Sequence, residues 1–197
     1  MPQTVKEYQS DITTKLQKLF STEEVKMEWS IFNESEDRKS KYCPRVDVVV
    51  GPLAMNGSFE FRYNDMATTY RFFIIPLLKY YQLNIEKYAD PRLPYENPTE
   101  NDMTRRNLNA RCFMAIEIEH RVSRKHLIGS ILNSSSLGRV GIIIAWSDEK
   151  LKAFIKLRNY LGFLKDRGKN TFEIPNVLIV SKDQFMEALN ESIGLSH

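Results

Sequence analysis

Apolar side chains recur at helical spacing from the start of the chain. Val5, Tyr8, Ile12, Leu16, Leu19 and Phe20 predict a first helix from about Thr4 to Phe20. The period then shortens to two: in VKMEWSIF, Val25, Met27, Trp29 and Ile31 alternate with Lys26, Glu28, Ser30 and Phe32, which predicts a strand with one buried face. The polar run Asn33 to Tyr42 reads as a turn or loop. In RVDVVVGP, Val46, Val48, Val49 and Val50 predict a second strand that Gly51-Pro52 stops, with one acid, Asp47, set among the valines.

Further along, Cys112 to Ile116 is apolar at every position and predicts a strand buried on both faces. It runs into Glu117-Ile118-Glu119. Residues two apart on a strand share a face, with Cα atoms roughly 6 to 7 Å apart, so two carboxylates stand side by side at the end of a hydrophobic strand. Ser123 is placed to cap a helix from Arg124 to about Ser136, with Leu127, Ile128, Ile131 and Leu132 on its apolar side and Gly138 near its end. RVGIIIAW predicts a buried strand and Asp148 to Phe163 an amphipathic helix with Leu151, Phe154, Ile155, Leu157 and Leu161 in one stripe. NVLIV predicts a last strand and Lys182 to Asn190 a last helix.

Residues 52–110 follow these periods less well. GSFEFRYN reads as a short strand, TTYRFFIIPLLKYYQLN as a helix kinked at Pro76, and ADPRLPYENPTEND as irregular. The whole reads as an insertion within one domain spanning 1–197. The element order predicts an α/β (α+β) fold with a mixed central sheet flanked by helices.

Composition narrows the function classes. With 42% hydrophobic and 27% charged residues the chain has the make-up of an ordinary globular domain. A net charge of +3 does not by itself announce a nucleic-acid partner, although Lys150, Lys152, Lys156, Arg158, Lys165, Arg167 and Lys169 form a basic stretch broken only by Asp166. Cys43 and Cys112 are far apart, with no CxxC, which argues against zinc and for a reducing compartment; the N-terminus lacks a signal-peptide pattern, so a cytoplasmic location is expected. The strongest apolar run, Phe72 to Leu78, is far shorter than the roughly 20 residues of a membrane span, and no membrane partner is expected. Asn133 to Arg139 lacks the spacing and lysine of a phosphate loop, and Ser123 with His120 or His126 lacks a placed third acid for a nucleophile triad.

The remaining candidate chemistry is acidic. Asp47 on the second strand and Glu117 and Glu119 on the third converge if those strands are neighbours. Oxygen donors without histidine or thiolate favour Mg²⁺ or Mn²⁺. The alternative is structural: the glutamates mark where the strand meets solvent, paired with Arg121 or a neighbouring lysine, and Asp47 pairs with Arg45.

The order of elements, with Asp in the second core strand, Glu-x-Glu in the third and a helix following, resembles the PD-(D/E)XK nuclease superfamily, the restriction-endonuclease-like fold with an αβββαβ core. The carrying residues are Pro44-Arg45-Val46-Asp47 and Glu117-Ile118-Glu119. Glu119 stands where the superfamily pattern has lysine. The resemblance implies a metal-dependent endonuclease acting on DNA, of restriction or repair type, with Asp47, Glu117 and Glu119 as metal ligands and Glu119 also managing the attacking water. It further implies Lys125 as a relocated catalytic lysine, Glu7 as an additional acid from the first helix, and Arg121, Arg124, Lys125 and His126 as phosphate contacts. A homodimer follows from the same resemblance, with the aromatic segment Tyr70 to Tyr81 as candidate interface. The competing expectation is a nuclease-like fold that no longer cuts and serves as a nucleic-acid-binding or assembly subunit.

Overall fold

The computed structural model describes residues 3–30, 44–54, 59–120, 124–169 and 174–195. Among them are seven helices and five strands, in the order α1 (Val5–Leu19), β1 (Val25–Ser30), β2 (Arg45–Val50), α2 (Glu60–Thr69), α3 (Arg71–Tyr88), α4 (Glu100–Arg105), β3 (Cys112–Glu119), α5 (Arg124–Leu137), β4 (Gly138–Ala145), α6 (Asp148–Asp166), β5 (Val177–Ser181) and α7 (Lys182–Leu195). The strands form one mixed sheet in the order β1-β2-β3-β4-β5. β1, β2 and β3 are antiparallel neighbours, whereas β4 joins β3 and β5 joins β4 in parallel, through α5 and α6. The sheet is open at both ends, and the expected mixed α/β architecture is present. The predicted loop at Asn33 to Tyr42 lies outside the described residues.

Every residue of β3 and β4 is buried, as their unbroken apolar runs require of strands covered on both faces. Each fully buried Ile or Val contributes about 1.5–3 kcal/mol of burial free energy, so this pair is the rigid part of the sheet. One face, carrying Val48, Val50, Ile116 and Ile118, belongs to the main core with α1, α3 and α7. The other face of β3 and β4 is covered by α5. That helix approaches closely because Gly141 has no side chain: a Cβ there would stand 2.9 Å from the Ser134 backbone.

Three local expectations change. GSFEFRYN does not form a strand; its described part enters α2. Pro76 sits inside α3 without ending it. The segment 52–110 is also no appendage. Phe73, Ile74, Leu77, Leu78 and Tyr81 are buried in the main core, and the Asn84 side chain donates to the Ile179 carbonyl of β5 at 3.1 Å. The Tyr70 to Tyr81 aromatics are therefore largely consumed by the fold, which removes them as a dimer interface: α3 turns them toward β5 and α7 because that face of the sheet has no other cover.

Helix α5 is also rotated from its predicted orientation. Leu127 and Ile131 are buried as expected, but Ser134 and Ser135 complete the buried stripe while Ile128 is 39% exposed. Small serines permit the close approach over Gly141, and a leucine or isoleucine stripe does not.

Among the described residues no helix is long and apolar enough to cross a membrane.

Candidate functional site

The β2–β3 ladder pairs Val50 with Met114, Val49 with Ala115 and Val48 with Ile116, and there it stops. One further step would set Asp47 opposite Glu117. In place of a backbone bond, Asp47 Oδ2 accepts the Ile118 N–H at 2.7 Å. Val46 packs with Val49 and Ala115, whereas Val48 and Val50 pack in the opposite cluster, so strict two-residue alternation breaks at Asp47. The strands part here, and the aspartate fills the gap.

On β1 the irregularity has a counterpart. Met27 pairs with Val48 and Trp29 with Val46, which places Glu28 opposite Asp47 between them. Glu28 has φ of 54°, a left-handed conformation that costs a non-glycine residue about 1–2 kcal/mol. The expected face of Val25, Met27, Trp29 and Ile31 is accordingly interrupted: Val25 and Trp29 are buried, Met27 is 49% exposed, and Ile31 lies outside the described residues. Gln9 of α1 ties the pair together, its amide donating to the Asp47 carbonyl at 2.8 Å and to Glu28 Oε1 at 3.2 Å.

Glu117 and Glu119 lie at the end of β3, both buried, at 8% and 7% exposure. They face α5. Asn133 Nδ2 donates to Glu117 Oε1 at 3.4 Å, and Ser130 Oγ stands 3.1 Å from Glu119 Oε2 and 3.0 Å from the His126 carbonyl, so its single proton serves one of the two at a time. Ser130 and Asn133 are one helical turn apart, which matches the reach of two strand residues on a common face.

Burial pushes the Glu117 carboxyl up to about 9; the charge of Asp47 adds to this, the Asn133 amide opposes it, and Glu119 and Glu28 raise it further. Asp47 is also held above the usual carboxylate range, first by burial, against the Ile118 N–H that favours its charged form, and again by Glu28 and Glu119. Arg45 is drawn to Glu28 at 3.0 Å, so the expected Asp47–Arg45 pair does not form, although Arg45 still lowers the Asp47 carboxyl slightly. For Glu117 every charged neighbour that shifts it is another acid.

The remaining candidates fall differently. Glu7 is taken by its own helix: its carboxylate accepts the Thr4 N–H and its backbone N–H donates to the Thr4 hydroxyl, a capping box that removes it from the site. His126 is exposed in the first turn of α5. Arg124 and Lys125 begin the same helix, but their side chains, and all of Arg121, lie outside the described residues. The basic set of α6 starts at the end of β4 and runs toward the opposite end of the sheet, with Lys150 buried in the first turn and Lys152 and Lys156 exposed. Two open cavities of about 260 and 270 Å³ also lie at that opposite end, around Arg106 and Pro175, and no carboxylate of the site lines them.

Sequence reasoning missed Glu28, Gln9, Ser130 and Asn133. The polar pair Ser130 and Asn133, three apart on α5, was the legible signal, since their spacing puts them on one helix face. Glu28 carried none, because a strand pattern does not reveal a positive φ. Among the described residues no three His, Cys, Asp or Glu side chains stand grouped so as to hold a metal ion. The donor chemistry nonetheless fits Mg²⁺ or Mn²⁺, which commonly bind through one or two carboxylates and complete their shell with water and substrate phosphate oxygen.

Comparison with known proteins returns no matching family model, no matching curated protein and no matching solved structure.

Proposed function

We propose that this chain is a metal-dependent endonuclease that hydrolyses DNA phosphodiester bonds, of the restriction or repair type. The observation that carries the reading is the meeting of Asp47 and Glu117 where β2 and β3 part, in a buried setting whose mutual repulsion a divalent cation would relieve. The restriction-endonuclease-like assignment rests on the succession α1, β1, β2, β3, α5, β4, with an antiparallel meander followed by a parallel strand.

An anionic substrate is favoured at this end of the sheet. Helices α5, α6 and α7 begin where β3, β4 and β5 end, so their N-termini, each carrying about half a positive charge, gather beside the carboxylates. Asp47 and Glu117 would hold Mg²⁺ or Mn²⁺, with Glu119 beside them. Bound there, the ion would supply charge stabilisation for the phosphoryl group and acidify a water. Glu119, steadied by the Ser130 hydroxyl, accepts the proton of the attacking water at Oε1 or Oε2. Asn133 orients the Glu117 carboxyl, and Gln9 holds the β2 backbone at Asp47. Arg121, Arg124, Lys125 and His126 are the proposed phosphate contacts, Lys125 also serving as the relocated lysine.

Incubating supercoiled plasmid with the protein tests this directly. Nicking is expected in Mn²⁺ or Mg²⁺, none in EDTA, and none with Asp47→Ala or Glu117→Ala. Cleavage that survives both substitutions refutes the assigned site.

A second reading has its own support. Glu119 replaces the pattern's lysine, and the charged groups that shift Glu117 are all acids. In that reading the fold binds DNA or a protein partner without cutting, and calorimetric titration finds DNA binding with no Mn²⁺ binding.

A further inference from the structure

Trp146 follows β4 directly and stands next to the carboxylate strand: its N–H donates to the Glu119 carbonyl at 3.1 Å. Ala145 pairs with Glu119, so alternation turns the Trp146 side chain to the opposite face, toward α1 and α7. There its indole is half-buried. The Tyr8 ring meets it edge-on at 5.5 Å and 89°, and the Lys182 ammonium lies 4.8 Å from its centroid. The Tyr8 hydroxyl donates to the Lys182 carbonyl at 2.8 Å, so α1 fixes the start of α7 against the indole.

Lys182 is out of place for a purely structural residue. As the first residue of α7 it puts a cation at the positive end of a helix, where charge of that sign is disfavoured. Ser181 and Gln184 already cap this helix reciprocally, so the lysine is not needed as a cap. Among the described residues no carboxylate lies within ion-pair distance of it. What holds it is the indole face. A half-open aromatic ring and an uncompensated cation at a helix N-terminus together match the two parts of a nucleotide unit, a base to stack and a phosphate to neutralise.

We propose that Trp146 and Lys182 form a contact platform for an unpaired nucleotide of a DNA strand, one strand-width from the carboxylates. The indole stacks the base, and the ammonium with the α7 N-terminus takes its phosphate. The substrate then is single-stranded DNA or a duplex with an unpaired base beside the scissile bond. This deepens the endonuclease reading and rests on it for the scissile bond, but binding at the platform needs no metal and no cleavage.

The test uses the full chain in EDTA, with a labelled single-stranded DNA oligonucleotide and a blunt duplex of the same sequence, read by fluorescence anisotropy and by indole emission. The single strand is expected to bind more tightly than the duplex and to quench Trp146; the other tryptophan, Trp29, is 4% exposed and contributes little change. Trp146→Leu and Lys182→Ala are each expected to weaken binding about tenfold, and Trp146→Phe to restore most of the loss by keeping an aromatic face. Unchanged affinity in both Trp146→Leu and Lys182→Ala, no quenching at saturation, preference for the blunt duplex, or no single-strand binding by the wild-type chain each overturns the platform. Should Trp146→Leu fail to fold, Lys182→Ala and the wild-type quench decide the matter. Plasmid cleavage in Mn²⁺ is scored separately: cutting that persists while the platform substitutions change nothing sinks the platform alone, and platform binding without any cutting sinks the endonuclease reading alone.

Discussion

Arg139 and Glu117 are both charged side chains buried against the same pair of strands, at 0% and 8% exposure, yet their surroundings are opposite in kind. Arg139, near the start of β4, donates to the Thr104 and Asn107 carbonyls and to the Asn64 side chain. Its neighbourhood is a closed polar network: Asn107 donates to the Ser135 and Gly138 carbonyls, and Asn176 bonds Ser135 and Gly138 in the same way. Glu117, near the end of β3, has one long bond from Asn133 and three acids as charged neighbours. The first cluster is complete as it stands. It fastens α2 and α4 to the sheet, whereas the second leaves negative charge uncompensated. A buried polar group whose partners are all present serves the fold, and one whose partner set is short at a sheet end is the place to look for chemistry.

The largest effect should come from breaking the complete cluster. Arg139→Ala leaves two carbonyls and an amide oxygen without donors inside the protein and should lower stability by about 3 kcal/mol or more, read by urea unfolding. A loss below about 1 kcal/mol would mean that the network is not the fastening it resembles.

The second test concerns pH. The Glu117 carboxyl is raised from 4.5 to about 9 in the folded protein, so the folded state binds its proton more tightly than the unfolded chain does. Its contribution is therefore fully present below pH 4.5 and is lost progressively as pH rises toward 9. By pH 7 the loss should be about 2–3 kcal/mol relative to pH 4. Glu117→Gln should remove this slope and raise the melting temperature at pH 8. A variant with the wild-type slope would show that the charge at this position is compensated after all.

Divalent ions sharpen the comparison further. At one hundred times the dissociation constant, Mn²⁺ should stabilise the wild-type chain by about 2.7 kcal/mol, and Glu117→Gln or Asp47→Asn should abolish most of that shift. Arg139→Ala, at the other end of the sheet, should keep it. Equal Mn²⁺ responses in all four proteins would place the ion elsewhere. The smallest expected effect is at Glu28, where replacement by glycine relieves the left-handed backbone and should stabilise by about 0.5–1 kcal/mol, since its exposed ion pair with Arg45 contributes little. Destabilisation by Glu28→Gly, read by thermal melting, would show that its bonds to Gln9 and Arg45 outweigh the strain.

Much of the scaffold was legible along the chain. The apolar runs of β3 and β4 could only be strands covered on both sides, and the order of elements placed Asp47, Glu117 and Glu119 on successive strands. Legibility failed where the pattern was ambiguous over a few residues. GSFEFRYN alternates well enough to suggest a strand, but its described part lies in α2, where Tyr63 and Met66 are buried together on one helix face. The aromatic stretch around Tyr70 looked like a surface for a second molecule and is instead the cover of the sheet.

Local periodicity thus determined which segments are helix or strand and that a buried strand would end in two carboxylates, because those properties depend on the steric habit and burial of residues a few positions apart. The tertiary structure alone decided that the β2–β3 ladder opens at Asp47, that α5 turns Ser130 and Asn133 toward the glutamates, that Glu28 and Gln9 join them, and that Glu7 does not. These depend on register and helix rotation, which are set by contacts between residues far apart in the chain, such as Gly141 under Ser134 and Gln9 against the Asp47 carbonyl.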